Sequence, residues 1–516
     1  MGRFFNTAGP CKPDIHYTLN PLGRLSVTRS LIEEQKYFIL HAPRQTGKTT
    51  IMIALAKALN EEGKFAAVYA NVEPAQAVRH NVEMANDAFV RAVASNARFF
   101  LPKAYWPSED ALNLDRSSEK LKEFLQRWCA ELPKPLVLFI DEADALIGDS
   151  LLSLLRQLRS GYALRPDAFP HSVALIGLRD IRDYRIYSEQ DKRFIIGGSA
   201  FNIKDESLTL GNFSPEEVRE LYAQHTAETG QAFAQEVLDL IFEQTQGQPW
   251  LVNAIGKQLC FETHKVPANQ TVAIPDVRRA VETLILRRDT HLDHLADKLT
   301  EPRVARIVDL ILSGETPDRS NAISNDDLQY VIDLGLVVRS PQGLSIANPI
   351  YREVIPRELT TVAEAFLPMQ RAWYVGDDGK LNIETVLERF FEFYRENGEM
   401  AVKRETYPES AYHLTFMAWL QRIVNGGGYI RREYAAGTGF VDLLIEYNGD
   451  KFAFELKTEQ NFKREKALNQ IHQYLQRLSL NEGYLVVFRQ KTVEPEAIGQ
   501  RERIVHEGCV VHLIHV

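Results

Sequence analysis

Cysteine is scarce in this chain: four in 516 residues, at Cys11, Cys129, Cys260 and Cys509. No two of them form a Cys-x-x-Cys pair, which argues against a structural zinc site or a disulfide framework and fits a reducing compartment. Long apolar runs are missing as well. The longest, such as Pro135–Ile140, are far too short to span a bilayer. The opening MGRFFNTAGPCKPD has no apolar stretch behind its single arginine, so no secretion signal is expected. Low-complexity tracts and internal repeats are absent. Net positive charge is absent too: the balance is −9, so any nucleic acid must be held in a local basic groove. These absences lead to an expectation of a cytoplasmic protein that makes no membrane contact. What remains is a globular composition, 45% hydrophobic and 25% charged, sufficient for packed cores. A chain this long exceeds one core and is expected to form three or four domains.

The most informative stretch runs from Phe440 to Lys457, FVDLLIEY-NG-DKFAFELK. Two apolar, β-branched or aromatic runs flank Asn448-Gly449, a strong signal for a two-residue hairpin loop. That loop forces the pairing. Tyr447 faces Asp450, Glu446 faces Lys451, and Asp442 faces Glu455. The period of two then puts Lys457 on the same face as Glu455. Opposed carboxylates repel, and a divalent cation between them removes the objection. Two acids and a lysine are the groups that metal-assisted phosphodiester hydrolysis requires.

A second constellation lies near the N-terminus. Tyr37–His41 reads as a strand, Ala42-Pro-Arg-Gln-Thr-Gly47-Lys48-Thr49 follows, and a helical pattern continues through Leu59 to Gly63. Strand, glycine loop and helix make a phosphate cradle. Backbone N–H groups of residues 44–49, Gln45, Thr46 and Gly47 among them, would face the phosphates. Lys48 would neutralise their charge. The Thr49 hydroxyl would ligate Mg²⁺, with Thr50 beside it. Lys134–Asp144, KPLVLFIDEAD, reads as a buried strand ending in two acids. Asp141 would hold the ion through water, and Glu142 would orient the attacking water. Phe65–Asn71, Ser172–Gly177 and Ser207–Leu210 complete a five-stranded parallel sheet. Arg179 follows the fourth strand, as a γ-phosphate sensor or as an ion-pair partner of a nearby Asp. No arginine finger is identified; Arg156 and Arg159 are candidates.

These residues resemble the Walker A and B motifs of the additional-strand P-loop ATPases, in the AAA+/STAND-like branch. Ser214-Pro215-Glu216-Glu217 is a capping box, and a helical segment leads on to Thr245-Gln-Gly247-Gln-Pro249-Trp250-Leu-Val-Asn253. The latter is similar to the Gly-x-Pro segment of that branch's helical lid. The resemblance implies ATP as cofactor and places Pro249 near the adenine, although a first-turn proline explains the residue equally well. Arg303–Leu312, Asp326–Leu334 and the strand–turn–strand Gly335–Ile346 resemble a winged helix. Its second helix carries three acids and no base, so internal docking is favoured over DNA reading.

The hairpin has company. Glu409-Ser-Ala-Tyr-His413 opens a helix running to Val424, and Asn425-Gly-Gly-Gly428 ends it. Tyr429–Tyr434 is a first strand. Gln470 and Tyr474 stack at i, i+4 on a later helix, and Tyr484–Phe488 is expected as the final strand. This order resembles the PD-(D/E)xK nuclease core. Asp442, Glu455-Leu-Lys457, Glu409, Gln470 and Tyr474 match its motif, including the QxxxY element of the RecB-like branch. The residue before Asp442 is Val441, where the family's name has proline. The resemblance implies that Asp442 and Glu455 ligate Mg²⁺ or Mn²⁺ with help from Glu409. Lys457 would then orient water or stabilise the transition state, and Gln470 and Tyr474 would brace the site. Lys403, Arg404, Arg431, Arg432, Lys463, Arg464 and Lys466 supply local positive charge.

The expected fold is α/β and multidomain. Its parts are an N-terminal segment (1–30), a P-loop ATPase core (31–211), a helical lid (212–295), a winged helix (296–358), a helical connector (359–400) and a nuclease-like domain (401–516). The chain as a whole is identified with prokaryotic AAA+/STAND-like ATPases fused to a C-terminal PD-(D/E)xK domain. The implied function is an ATP-regulated, metal-dependent nuclease acting on nucleic acid, with DNA expected, in a nucleotide-dependent homo-oligomer. The role implied by analogy is defence against foreign DNA or control of mobile elements. The alternative is a STAND-type signalling ATPase whose C-terminal fold binds nucleic acid or a partner without cutting.

Overall fold

The computed structural model describes residues 2–516 except 115–118, 147, 181–184, 189–192, 197–200, 263–264, 288–294, 296, 314–322, 341–342, 367–373, 377–378, 403–410, 425–427, 435–440 and 490–497. The chain divides into two compact units, Met1–Leu284 with Asp333–Gly335, and Ile285–Ile332 with Leu336–Val516.

The first unit is built on five parallel strands: β1 (Tyr37–His41), β2 (Ala66–Asn71), β3 (Leu136–Asp141), β4 (Ser172–Gly177) and β5 (Lys204–Thr209). Their order across the sheet is β2-β3-β4-β1-β5. The strand β4 therefore lies between the glycine-loop strand and the acidic strand, the added strand that the sequence implied. Near-continuous apolar runs suit strands covered on both faces. Tyr37, Ile39, Leu138, Ile140 and Leu175 pack into a core on one face. Phe38, Leu40, Val137, Phe139 and Ile176 pack into a second core on the other. The strand β5 starts before the expected Ser207 because its first residues, Lys204-Asp205-Glu206, are polar, a pattern that hides an edge strand from an apolar-run reading.

Helix α1 (Lys48–Glu62) leaves β1 through Gly47, at φ 99°, and stops at Gly63, at φ 76°. Both angles lie in the left-handed region that glycine adopts without a steric penalty. Three helices follow β5: α2 (Pro215–Thr229), α3 (Gln235–Thr245) and α4 (Pro249–Cys260). The capping box forms as expected, with Glu217 N donating to Ser214 Oγ and Ser214 N to Glu217 Oε2. Between α3 and α4 the chain turns through Gln246 and Gly247, both with positive φ. The Gly247 carbonyl accepts from Phe213 N at 2.8 Å. The N-terminal segment pairs Phe4–Phe5 with His16–Tyr17 and packs on these helices. Phe5 lies against Tyr222, and Tyr17 donates to Glu228 at 3.1 Å.

The second unit contains the helix Pro302–Ser313, an antiparallel pair Val337–Ser340 and Gly343–Ile346, and the helices Pro349–Phe366 and Ile383–Val402. A bridge between Val375 and Leu381 lies in the interval between the last two. Helix α5 (Ala411–Val424) precedes a six-stranded mixed sheet. Its strands are β6 (Gly428–Tyr434), β7 (Val441–Tyr447), β8 (Asp450–Thr458), β9 (Glu482–Phe488), β10 (Gln500–His506) and β11 (Cys509–His515), and α6 (Arg464–Leu478) joins β8 to β9. The order is β6-β7-β8-β9-β11-β10. The strand β9 is therefore not the last, as the sequence reading had it. The hairpin β10–β11 was missed because Gln-Arg-Glu-Arg-Ile-Val-His is mostly polar and exposed, and because its turn is Glu507-Gly508 instead of an Asn-Gly or Asp-Gly pair.

Candidate functional sites

The phosphate cradle forms where β1 meets α1. Lys48 is buried, and its ammonium donates to the carbonyls of Ala42 at 2.7 Å and Pro43 at 2.9 Å. Burial pushes its pKa below the ordinary lysine value, opposed by the charges of Asp141, Glu142 and Asp144. Thr49 Oγ1 donates to Asp141 Oδ2 at 2.7 Å, bringing the two expected Mg²⁺ residues together across 92 positions of sequence. Asp141 also accepts at the same oxygen from Tyr69 Oη, at 2.6 Å. The sequence reading missed Tyr69. The strand order held the clue: β2 neighbours β3, and Asn71, two residues beyond Tyr69, is in register with Asp141.

Glu142 follows in the left-handed region, at φ 58°, which turns the chain sharply off the strand. Burial is the first cause that raises its pKa to about 6, with Asp144 and Asp141 adding to it. Its carboxyl is thus poised between proton acceptor and donor near neutrality. Hydroxyl, carboxylate and acid form the donor set that a nucleotide-bound Mg²⁺ uses, so the residues fit the ion.

Above the cradle is an open cleft. Gln45, Thr46, Gly47 and Thr50 line one side, and Pro249, Trp250 and Asn253 of α4 line another. The N-terminal segment supplies a further wall through Asn6–Gly9, Cys11 and Thr18–Leu19. The Cys11 amide donates to Thr50 Oγ1 at 3.0 Å, and Trp250 Nε1 donates to the Thr7 carbonyl at 2.9 Å. No sequence signal placed residues 6–19 here. Arg179 does not line this cleft. Its Nε donates to Asp333 Oδ2 at 3.0 Å, and both side chains are buried. This partner is an acid distant in sequence.

In the second unit the hairpin forms with the expected register. Tyr447 pairs with Asp450, Glu446 with Lys451, and Asp442 with Glu455. Asn448 and Gly449 both have positive φ, as a two-residue loop of this type requires. The Asp442 side chain and all of Glu409 lie outside the described residues, as do Lys403, Arg404 and the side chains of Arg431 and Arg432. Glu455 and Lys457 share a face of β8 and are almost wholly buried, joined by an ion pair between Oε1 and Nζ. Burial raises the Glu455 pKa, against the pull of Lys457. Burial also lowers Lys457, to about 8.

Ala453, two residues before Glu455, packs in the core that α6 covers, together with Tyr474 and Leu485. Glu455 is in register with Leu485, so both acidic positions border this helix-covered face. Tyr474 is buried and Gln470 half-buried on α6. Lys463, Arg464 and Lys466 are exposed at its N-terminal end, where Arg464 pairs with Glu502 at 2.5 Å. Among the described residues no three His, Cys, Asp or Glu side chains cluster to hold a metal. Glu455, opposite Asp442, nonetheless fits the oxygen chemistry of a hard divalent cation.

The comparisons agree with this division. A family model described as "AAA ATPase domain" matches residues 25–166, and one described as "PD-(D/E)XK nuclease superfamily" matches residues 407–493. Among solved structures the chain is similar to a Walker-type ATPase of Pyrococcus abyssi, at 14% identity over 68% of this chain and 99% of that one, with a TM-score of 0.48. It is also similar to the ORC2 protein of Aeropyrum pernix, at 15% identity over 67% and 93%, with a TM-score of 0.42. A RuvB structure from Thermotoga maritima aligns at 13% identity over 65% and 94%, with a TM-score of 0.34. No curated protein matches. Among the described residues no helix is long and apolar enough to cross a membrane. The chain thus joins an AAA ATPase domain in its N-terminal part to a C-terminal domain of the PD-(D/E)XK nuclease superfamily.

Proposed function

We propose that this protein is an ATP-regulated nuclease that hydrolyses phosphodiester bonds, with DNA as its substrate and Mg²⁺ or Mn²⁺ as its metal. The observation that carries this reading is the register of Asp442 opposite Glu455 with Lys457 paired to Glu455, in the same chain as a P-loop whose Thr49 meets Asp141. A bound divalent cation would polarise the scissile phosphate and lower the pKa of water. The chain's own residues do the rest. Asp442 and Glu455 would hold the cation, Glu409 would assist, and Lys457, released from Glu455, would orient water or offset charge on the phosphate. Gln470 and Tyr474 would brace that face, and the exposed bases at the start of α6 would hold the backbone.

In the ATPase part, Lys48 would exchange the carbonyls of Ala42 and Pro43 for phosphate oxygens. Thr49 and Asp141 would hold Mg²⁺, which would supply positive charge to offset that of the phosphates. Glu142 would take the proton of the attacking water, and ATP binding or turnover would govern cutting. Assembly into a nucleotide-dependent homo-oligomer and a role against foreign DNA belong to the same reading.

The test is cleavage of single- and double-stranded DNA and RNA, with and without Mn²⁺ and ATP, by wild type, Asp442→Ala and Lys48→Ala. Wild type should cut DNA only with metal, Asp442→Ala should be inert, and Lys48→Ala should lose its response to nucleotide. Equal cutting by wild type and Asp442→Ala sinks the nuclease assignment. Indifference to Lys48→Ala and to nucleotide sinks the regulation. A second reading, binding without cutting, is favoured by the closed Glu455–Lys457 pair. Failure of a Mn²⁺ soak to place metal at Asp442 and Glu455 would support it.

A further inference from the structure

We propose that Asn253 reads the base of the nucleotide: its Oδ1 accepts a hydrogen bond from the exocyclic amine of adenine. The proposal rests on the reading of the cleft above the P-loop as the nucleotide site, and it adds what selects the base there.

Asn253 lies on the first turns of α4, is 6% exposed, and lines the cleft beside Pro249 and Trp250. Its amide orientation is settled by chemistry. The Nδ2 lies 2.8 Å from the Pro249 carbonyl, an oxygen that only accepts, so the nitrogen must occupy that side. The oxygen is then left over. Among the described residues Oδ1 has no hydrogen-bond partner although it is buried. Buried polar atoms are nearly always paired, so this oxygen calls for a partner, and a ligand in the cleft that Asn253 lines can supply one.

The ligand atom must be a donor. Adenine offers its 6-amino group, guanine and hypoxanthine carry an acceptor oxygen at the same position, and unsubstituted purine offers nothing. The rest of the cleft suits a flat ring, with Leu19, Ile51 and Phe213 supplying apolar surface. The nearby Gln248 is also short of a partner at Nε2, yet it does not line the cleft, and its Oε1 caps the helix at Leu251 N.

The experiment measures binding of ATP, purine riboside 5′-triphosphate and GTP to the full-length protein with Mg²⁺, for wild type, Asn253→Ala and Lys48→Ala. Wild type should prefer ATP over the purine analogue by about 5–10-fold, or about 1–1.4 kcal/mol, and should bind GTP more weakly still. In Asn253→Ala the ATP-to-analogue ratio should fall close to one while affinity for the analogue stays within about twofold. Equal binding of ATP and the analogue by wild type overturns the proposal without any variant. A preference that survives Asn253→Ala overturns it as well. Either result leaves the nucleotide reading standing if Lys48→Ala still abolishes binding. Failure of wild type to bind any of the three triphosphates removes both.

Discussion

Glu142→Gln should make the protein more stable and less active at once. Glu142 is half-buried beside Asp141 and Asp144, and its pKa sits at about 6 against an ordinary 4.5. Each pH unit of that gap is worth about 1.4 kcal/mol, which gives about 2 kcal/mol in full. Part of the carboxyl meets solvent, and screening reduces this to about 1 kcal/mol. The sign follows from the raised value. Below about pH 4.5 the carboxyl is protonated in folded and unfolded chains alike, so Glu and Gln differ little. Between about 4.5 and 6 the unfolded chain ionises first, and the wild type loses stability. Above about pH 7 the loss is complete. Gln keeps the shape and never ionises. Thermal unfolding without nucleotide or metal should therefore show equal midpoints near pH 4.5 and a Gln advantage of about 2–4 °C above pH 7. ATP turnover by the variant should fall by about 10²-fold or more, with ATP binding retained. A stability gap independent of pH would refute the electrostatic reasoning, and unchanged turnover would refute the role given to the residue.

Three further substitutions test other parts of the structure. Tyr69→Phe removes a hydrogen bond to the buried Asp141 carboxylate and should cost about 1.5–3 kcal/mol in chemical denaturation; a neutral result would mean that the contact carries no weight. Lys457→Met strands Glu455 in the sheet interior and should cost about 3–5 kcal/mol, with the Glu455→Leu, Lys457→Met double variant recovering most of it; additive losses would speak against a coupled pair. Gly247→Ala would set a Cβ 2.0 Å from the Phe213 carbonyl oxygen at a φ of +70°; a loss of about 2 kcal/mol or more and weakened ATP affinity are expected, and wild-type melting with normal binding would count against the tight turn.

Much of this was readable before any coordinates. The Asn448-Gly449 loop paired Asp442 with Glu455 by counting alone, because a two-residue loop leaves one register. The P-loop and the capping box at Ser214 were equally local. The β10–β11 hairpin escaped because its strands are polar, and the course of the N-terminal segment escaped because two-residue strands leave no periodic signal.

The sequence by itself determined the elements that carry the chemistry and the order in which they occur. Backbone dihedral preference and side-chain period act over a few residues, and both are written in the residues themselves. Only the tertiary structure decided which distant groups meet. It brought Tyr69 and Thr49 to one oxygen of Asp141, Arg179 to Asp333, and Asn6–Gly9 to the cleft beside Asn253. Those contacts depend on how the sheet orders its strands and how the helices pack, and packing is a property of the whole fold.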